Sequence, residues 1–97
     1  MRRNRNLERD VERGLSGAGK LKILRLLLQR PDDAFTRYAI GKKVPLDPVS
    51  IRNDLKTLVQ IEWVTNVQVH HLSKYSINLE NDVVKQLNEF LTAIRYL

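Results

Sequence analysis

Residues 36–61 read TRYAIGKKVPLDPVSIRNDLKTLVQI, and the fold is decided there. Thr36 is a good N-cap for a short helix from about Arg37 to Lys43, since its side-chain oxygen can accept from an otherwise unmatched backbone N–H of the first turn. Val44, Pro45 and Leu46 make a tight connection. Asp47 then caps a second helix, with Pro48 at its first position, where a missing N–H costs nothing and φ is already helical. That helix is expected to run from Pro48 to about Ile61. Ile51, Leu55, Leu58 and Val59 fall on an inner face, while Ser50, Asn53, Lys56, Thr57 and Gln60 fall outside, with Arg52 on the flank. A short helix, a tight turn and a polar-faced helix make a helix-turn-helix, the arrangement in which an apolar inner face locks a helix whose outer side chains can reach base edges.

Downstream of Trp63 the apolar period changes from helical to two. Val67 and Val69 alternate with polar residues, and Tyr75, Ile77 and Leu79 do the same, which predicts a hairpin with its turn near His70 to Ser73. No Asn-Gly or Asp-Gly pair marks that turn, so the register stays open. A last helix starts near Asn81, its N-cap, and is expected to continue to the end of the sequence. Upstream, Leu21, Ile23, Leu24, Leu27 and Leu28 give a helix over Lys20 to Gln29, capped by Ser16 or Gly17 and stopped by Pro31. Asp32 and Asp33 turn into a short extended piece at Ala34 and Phe35. Leu7, Val11 and Leu15 form a thin stripe that allows one more helix at the start. The expected class is mainly α with a small β-hairpin (α+β), a winged helix-turn-helix with an extra C-terminal helix. Its parts are a basic arm or helix over 1–14, the winged domain over 15–80 and the last helix over 81–97.

Size and composition set the bounds. Ninety-seven residues, 42% of them apolar, are enough for one domain with one core. The absence of cysteine excludes disulfides and thiolate sites and suits a reducing cytoplasm, the expected location. No apolar run approaches the roughly 18 residues of a membrane span, and the basic start is not followed by the apolar stretch of a secretory signal. The net charge of +6 points to an anionic partner, and its distribution is uneven. Residues 1–30 hold nine Lys/Arg against three Asp/Glu, whereas residues 31–97 hold eight of each. A basic arm before a nearly neutral body is a common nucleic-acid layout, in which Arg2, Arg3 and Arg5 would meet phosphates.

Catalytic chemistry finds no support. Gly14 to Lys20 (GLSGAGK) has the GxxxxGK spacing of a phosphate loop, but Leu21 stands where Ser or Thr would hold magnesium, and no strand precedes it. No Ser-His-Asp set or paired carboxylates stand out. His70 and His71 are neighbours on an extended segment, so they point to opposite faces and do not share one ion. No enzyme activity, metal or cofactor is therefore expected. Asp54 and Glu62 lie near the proposed reading face and would repel phosphate unless they turn sideways to Arg or Lys.

Several stretches resemble winged-helix regulators of the ArsR/MarR type, and more closely their archaeal relatives. GKLKILRLL from Gly19 looks like their first helix and VSIRNDLKTL from Val49 like their recognition helix. IEWV from Ile61 resembles the turn into the wing, and KYSINLENDVVKQL from Lys74 the return strand and final helix. The likeness covers Leu15 to Leu97. It implies that Ser50, Arg52, Asn53, Lys56 and Thr57 enter the major groove and that His70, His71 and Lys74 serve the wing. The sequence departs from the family at Glu62, where glycine is usual, and in a wing poor in Lys and Arg; the basic N-terminus is the obvious compensation. The last helix carries Val83, Leu87, Phe90, Ile94 and Leu97 at 4-3-4-3 spacing, widened by Val84 and Leu91. This seam, with the apolar end of the sequence beyond it, favours a homodimer, as the resemblance also implies. The expected function is sequence-specific binding of double-stranded DNA by a homodimeric transcriptional regulator. The alternatives are a winged-helix protein-interaction module and a nonspecific nucleic-acid or chromatin protein.

Overall fold

The centre of the molecule is a leucine-rich helix whose sequence buries Ile23, Leu24, Leu26, Leu27 and Leu28, because neighbours cover it on several sides. In the computed structural model, which describes residues 7–97, the order is α1 (Leu7–Gly14), α2 (Ala18–Gln29), α3 (Arg37–Lys43), α4 (Pro48–Gln60), β1 (Val64–Val69), β2 (Leu72–Ile77) and α5 (Asp82–Ala93). The central helix, α2, touches α3, α4 and β2. Between α1 and α2 the chain reverses at Gly17, whose φ of 84° is open to glycine at little cost. At its other end α2 stops where Arg30 closes back on the Leu27 carbonyl, just before Pro31.

Three side-chain caps start the following helices where the sequence places them. Thr36 Oγ1 accepts from Ala39 N–H at 3.1 Å, Asp47 Oδ2 from Ser50 N–H at 3.4 Å, and Asn81 Oδ1 from Val83 N–H at 2.9 Å and Val84 N–H at 3.2 Å. The end of α4 is a Schellman closure: Trp63 N–H reaches the Leu58 carbonyl and Glu62 N–H the Val59 carbonyl, both at 3.0 Å. That closure requires Glu62 at φ 67°, the left-handed position where glycine would be cheaper by about 1–2 kcal/mol. Asn78 holds the turn from the other side, its Nδ2 donating to the Glu62 carbonyl at 2.7 Å and its N–H to the Trp63 carbonyl at 2.9 Å.

The hairpin register pairs Val64 with Ile77 and Val69 with Leu72, leaving His70 and His71 as a two-residue loop. Their φ values of 50° and 68° are those of a type I′ turn, which suits the right-handed strand twist. Phe35 exchanges both backbone hydrogen bonds with Tyr75, at 2.9 and 2.7 Å, and so adds a one-residue third strand. Val64, Tyr75 and Ile77 share the face that meets the core. Val67 and Val69 do not: with Leu72 they stand on the opposite face, exposed.

The last helix departs from expectation. It ends at Ala93 rather than continuing to Leu97. Arg95 turns left-handed at φ 64°, Arg95 N–H bonds the Thr92 carbonyl and Tyr96 N–H the Leu91 carbonyl, a second Schellman closure. Tyr96 and Leu97 then fold back on the core, where the Arg25 guanidinium lies 4.6 Å from the Tyr96 ring centre. At the other end, Gly14 crosses directly over the Trp63 ring and Arg13 donates to Gln60 Oε1 at 2.6 Å, which seats α1 against α4. Among the described residues no helix is long and apolar enough to cross a membrane.

Candidate nucleic-acid interface

The inner stripe of α4, Ile51, Leu55 and Leu58, is buried, so at 100° per residue the opposite ridge is Val49, Asn53 and Lys56, with Arg52 beside it. All four are exposed. Ser50 and Thr57 are half-buried on the flank nearer the body. Ser50 Oγ donates to the Asp47 carboxylate, so its one proton is engaged and only acceptor capacity faces outward. The same bond, ahead of the backbone N–H donors of the first turn, holds the exposed Asp47 carboxyl below the usual aspartate value.

Beside this ridge runs a groove of about 550 Å³ between α3 and the first turn of α4. Leu46, Val49 and Tyr38 supply apolar surface, and Arg37, Lys42 and Arg52 surround it with positive charge. Tyr38 is 74% exposed, with Lys42 Nζ 5.2 Å from its ring centre. Reading the sequence did not single out Arg37, Tyr38 or Lys42. The signal was available, because burying Ile40 on a helix capped at Thr36 leaves these three on the outside.

Asp54 turns sideways, as expected, and pairs with Lys20 at 3.4 Å. Lys20 Nζ also reaches the Ser16 carbonyl and hydroxyl at 3.3 and 3.2 Å, so this residue of the phosphate-loop-like stretch ties α2 to α4. Glu62 lies in the turn after α4, outside the ridge. His70 and His71 are exposed at the tip of the hairpin; Lys74 is half-buried opposite Val67. Arg2, Arg3 and Arg5 lie outside the described residues. Among the described residues no three His, Asp or Glu side chains gather as a metal set.

The neutral balance of residues 31–97 conceals a segregation. Arg37, Lys42 and Arg52 line the α3–α4 groove. Asp10, Glu62, Glu80 and Asp82 line a different groove, of about 760 Å³, between α1 and the start of α5. The seam of α5 also divides. Leu91, expected in the dimer seam, is 4% exposed and belongs to the chain's own core with Val84. Val83, Leu87 and Leu97 are half-buried against that core, whereas Phe90 and Ile94 are 59% and 55% exposed.

No model of a known protein family matches the sequence, and no curated protein is significantly similar to it. Solved structures do match. The chain superposes on HlyU from Vibrio cholerae over 100% of both chains at TM-score 0.76 and 18% identity. NolR from Sinorhizobium fredii matches over 90% of this chain and 82% of that one at TM-score 0.73 and 20% identity. A homodimeric winged helix-turn-helix DNA-binding domain from Mycobacterium bovis, described as a possible ArsR-family regulator, matches over 92% of this chain and 81% of its own at TM-score 0.69 and 21% identity. Helix-turn-helix over α3 and α4, hairpin directly after it and near-complete superposition agree: this chain has the α+β winged helix-turn-helix fold.

Proposed function

We propose that the chain is a sequence-specific, double-stranded-DNA-binding transcriptional regulator that acts as a homodimer. The observation that carries this reading is the outer ridge of α4. A helix capped by Asp47 and locked by Ile51, Leu55 and Leu58 presents Arg52, Asn53 and Lys56 outward, beside the basic α3 groove. Arg and Asn suit guanine and adenine edges in the major groove, and Lys suits guanine or phosphate. Arg37 and Lys42 are placed for the adjoining phosphates, which position the helix without reading sequence. The hairpin, with His70 and His71 at its tip, and the arm with Arg2, Arg3 and Arg5 serve the flanking backbone.

The homodimer rests on Phe90 of α5, on Ile94 at its C-cap and on Leu7 of α1, all exposed apolar side chains. A two-fold axis through this surface would present two recognition helices to half-sites about one helical turn apart. The domain from Mycobacterium bovis is described as homodimeric, which supports the same assembly here.

Selection of bound sequences from random duplex DNA, followed by fluorescence anisotropy on the selected site, tests the reading. Asn53→Ala and Lys56→Ala are each expected to weaken specific binding by about 1–3 kcal/mol if they meet bases. Recovery of no preferred sequence would refute sequence-specific recognition, and unchanged affinity in both folded variants would move the reading surface off α4.

A further inference from the structure

Val49 is the one apolar residue on the otherwise polar and basic ridge of α4, and it stands at the helix's second position. Val49 is 53% exposed and lines the α3–α4 groove, and Tyr38, more exposed still, lines the same groove. Helix position does not require valine there, because a β-branched side chain is a poorer helix former than alanine. Core packing does not require it either, because the buried stripe of α4 runs along the opposite side. Arg37, Lys42 and Arg52 around the groove match an occupant whose rim is polyanionic. An apolar surface within a cationic rim is complementary to one feature of duplex DNA in particular, the pyrimidine 5-methyl group in the major groove, flanked by phosphates.

We propose that Val49 reads a 5-methylpyrimidine, a thymine or an equally placed 5-methylcytosine, in each half-site. This rests on the DNA-binding reading above and deepens it. The geometry within the ridge is consistent with the assignment. Val49, Asn53 and Lys56 follow one another at i, i+4 and i+7 along one ridge, and Val49 is the member nearest the helix N-terminus, the end whose residues contact base edges in helix-turn-helix complexes. Ser50 next to it offers only acceptor lone pairs, because Asp47 holds its proton. The first turn therefore recognises one base by a methyl contact and an adjacent amino edge by an acceptor. The second contact cannot be supplied by the Arg and Lys that carry affinity, since neither side chain has an acceptor.

The test is a substitution that removes the methyl and nothing else. On the selected operator, each thymine is replaced singly by deoxyuridine, and affinity is measured by anisotropy for wild type and for Val49→Ala. Val49→Ala lies on an exposed helical position and keeps the fold, which a thermal melt checks. One thymine per half-site is expected to show binding about fourfold weaker on loss of its methyl, the effect of returning a single methyl to water. In Val49→Ala that ratio falls to about one. Cytosine at the same position is expected to bind more weakly than 5-methylcytosine by a similar factor, again only with Val49 present. Specific binding with no thymine sensitive to deoxyuridine, or a sensitivity that persists unchanged in Val49→Ala, would overturn the inference and leave the DNA-binding reading standing. Recovery of no preferred sequence in the initial selection would instead remove the reading on which it rests.

Discussion

Gly14→Ala is predicted to destabilise the protein although it replaces a glycine by the best helix former. A Cβ at residue 14 would lie 2.3 Å from Cζ3, 2.5 Å from Cη2 and 2.8 Å from Cε3 of Trp63, where ordinary contact begins near 3.4 Å. The helix and the ring must therefore part by about 1 Å. The ring cannot swing away, because Trp63 is 1% exposed and walled in by the core. The yielding part is α1, whose eight residues are too few to persist as a helix without packing. Overpacking of this kind costs about 1–3 kcal/mol, against a propensity gain of at most about 1 kcal/mol and less at the last position of a helix. The net loss of about 1–2 kcal/mol corresponds to a fall in Tm of about 4–16 °C for a domain of this size. Trp63 is the only tryptophan, so its emission reports directly on whether α1 still covers it. Thermal melts by circular dichroism, with Trp63 emission recorded on the folded protein, decide the matter. A Tm equal to or above the wild type's with unchanged emission would show that α1 does not lie on Trp63 and that the reasoning is wrong.

Asp54→Ala is expected to lose about 1–3 kcal/mol of stability, because Lys20 at 13% side-chain exposure is left without its carboxylate; denaturant titration with an unchanged midpoint would count against a structural ion pair. Asp47 should show in the acid limb of stability: its carboxyl is held low in the folded state, so the cap contributes fully above the unfolded carboxyl value and is lost as pH falls through the lower folded one. Asp47→Asn keeps a capping oxygen that does not titrate, so its Tm should fall less than the wild type's between about pH 5 and pH 3; parallel curves would refute this. Phe90→Glu with Ile94→Glu should convert a dimer to a folded monomer in sedimentation, since both side chains are exposed on the single chain. A wild type that is monomeric at tens of micromolar, or a double variant that unfolds, would oppose the proposed interface.

Residues 36–61 settled the helix-turn-helix without help from the rest of the chain. Capping, proline at the first helical position and a 3.6-residue stripe are local rules, written in adjacent residues, and Thr36, Asp47 and Asn81 cap the helices they mark. Glu62 stood out only through the resemblance, as a departure from the usual glycine; the structure supplies the reason, since the Schellman closure of α4 puts this residue at φ 67°. Contacts between distant segments were not legible. Val67 and Val69 of β1 keep the period of a buried strand, but the register pairs them with Lys74 and Leu72 on the outer face, and only the position of Trp63 and Phe35 against the core decides which face is inside. The end of α5 looked continuous because nothing local breaks it. Arg95 turns left-handed where Tyr96 packs on Arg25 and the core, a contact across about seventy residues. Leu91 and Phe90 are adjacent members of one apolar run, and tertiary packing alone divides them, burying the first and leaving the second at the surface. Charge behaved likewise: the sequence of residues 31–97 sums to zero, and folding separates Arg37, Lys42 and Arg52 from Glu62, Glu80 and Asp82 into two different grooves. Composition is a sum, whereas recognition depends on which charges share a surface, and that is set by how the helices pack.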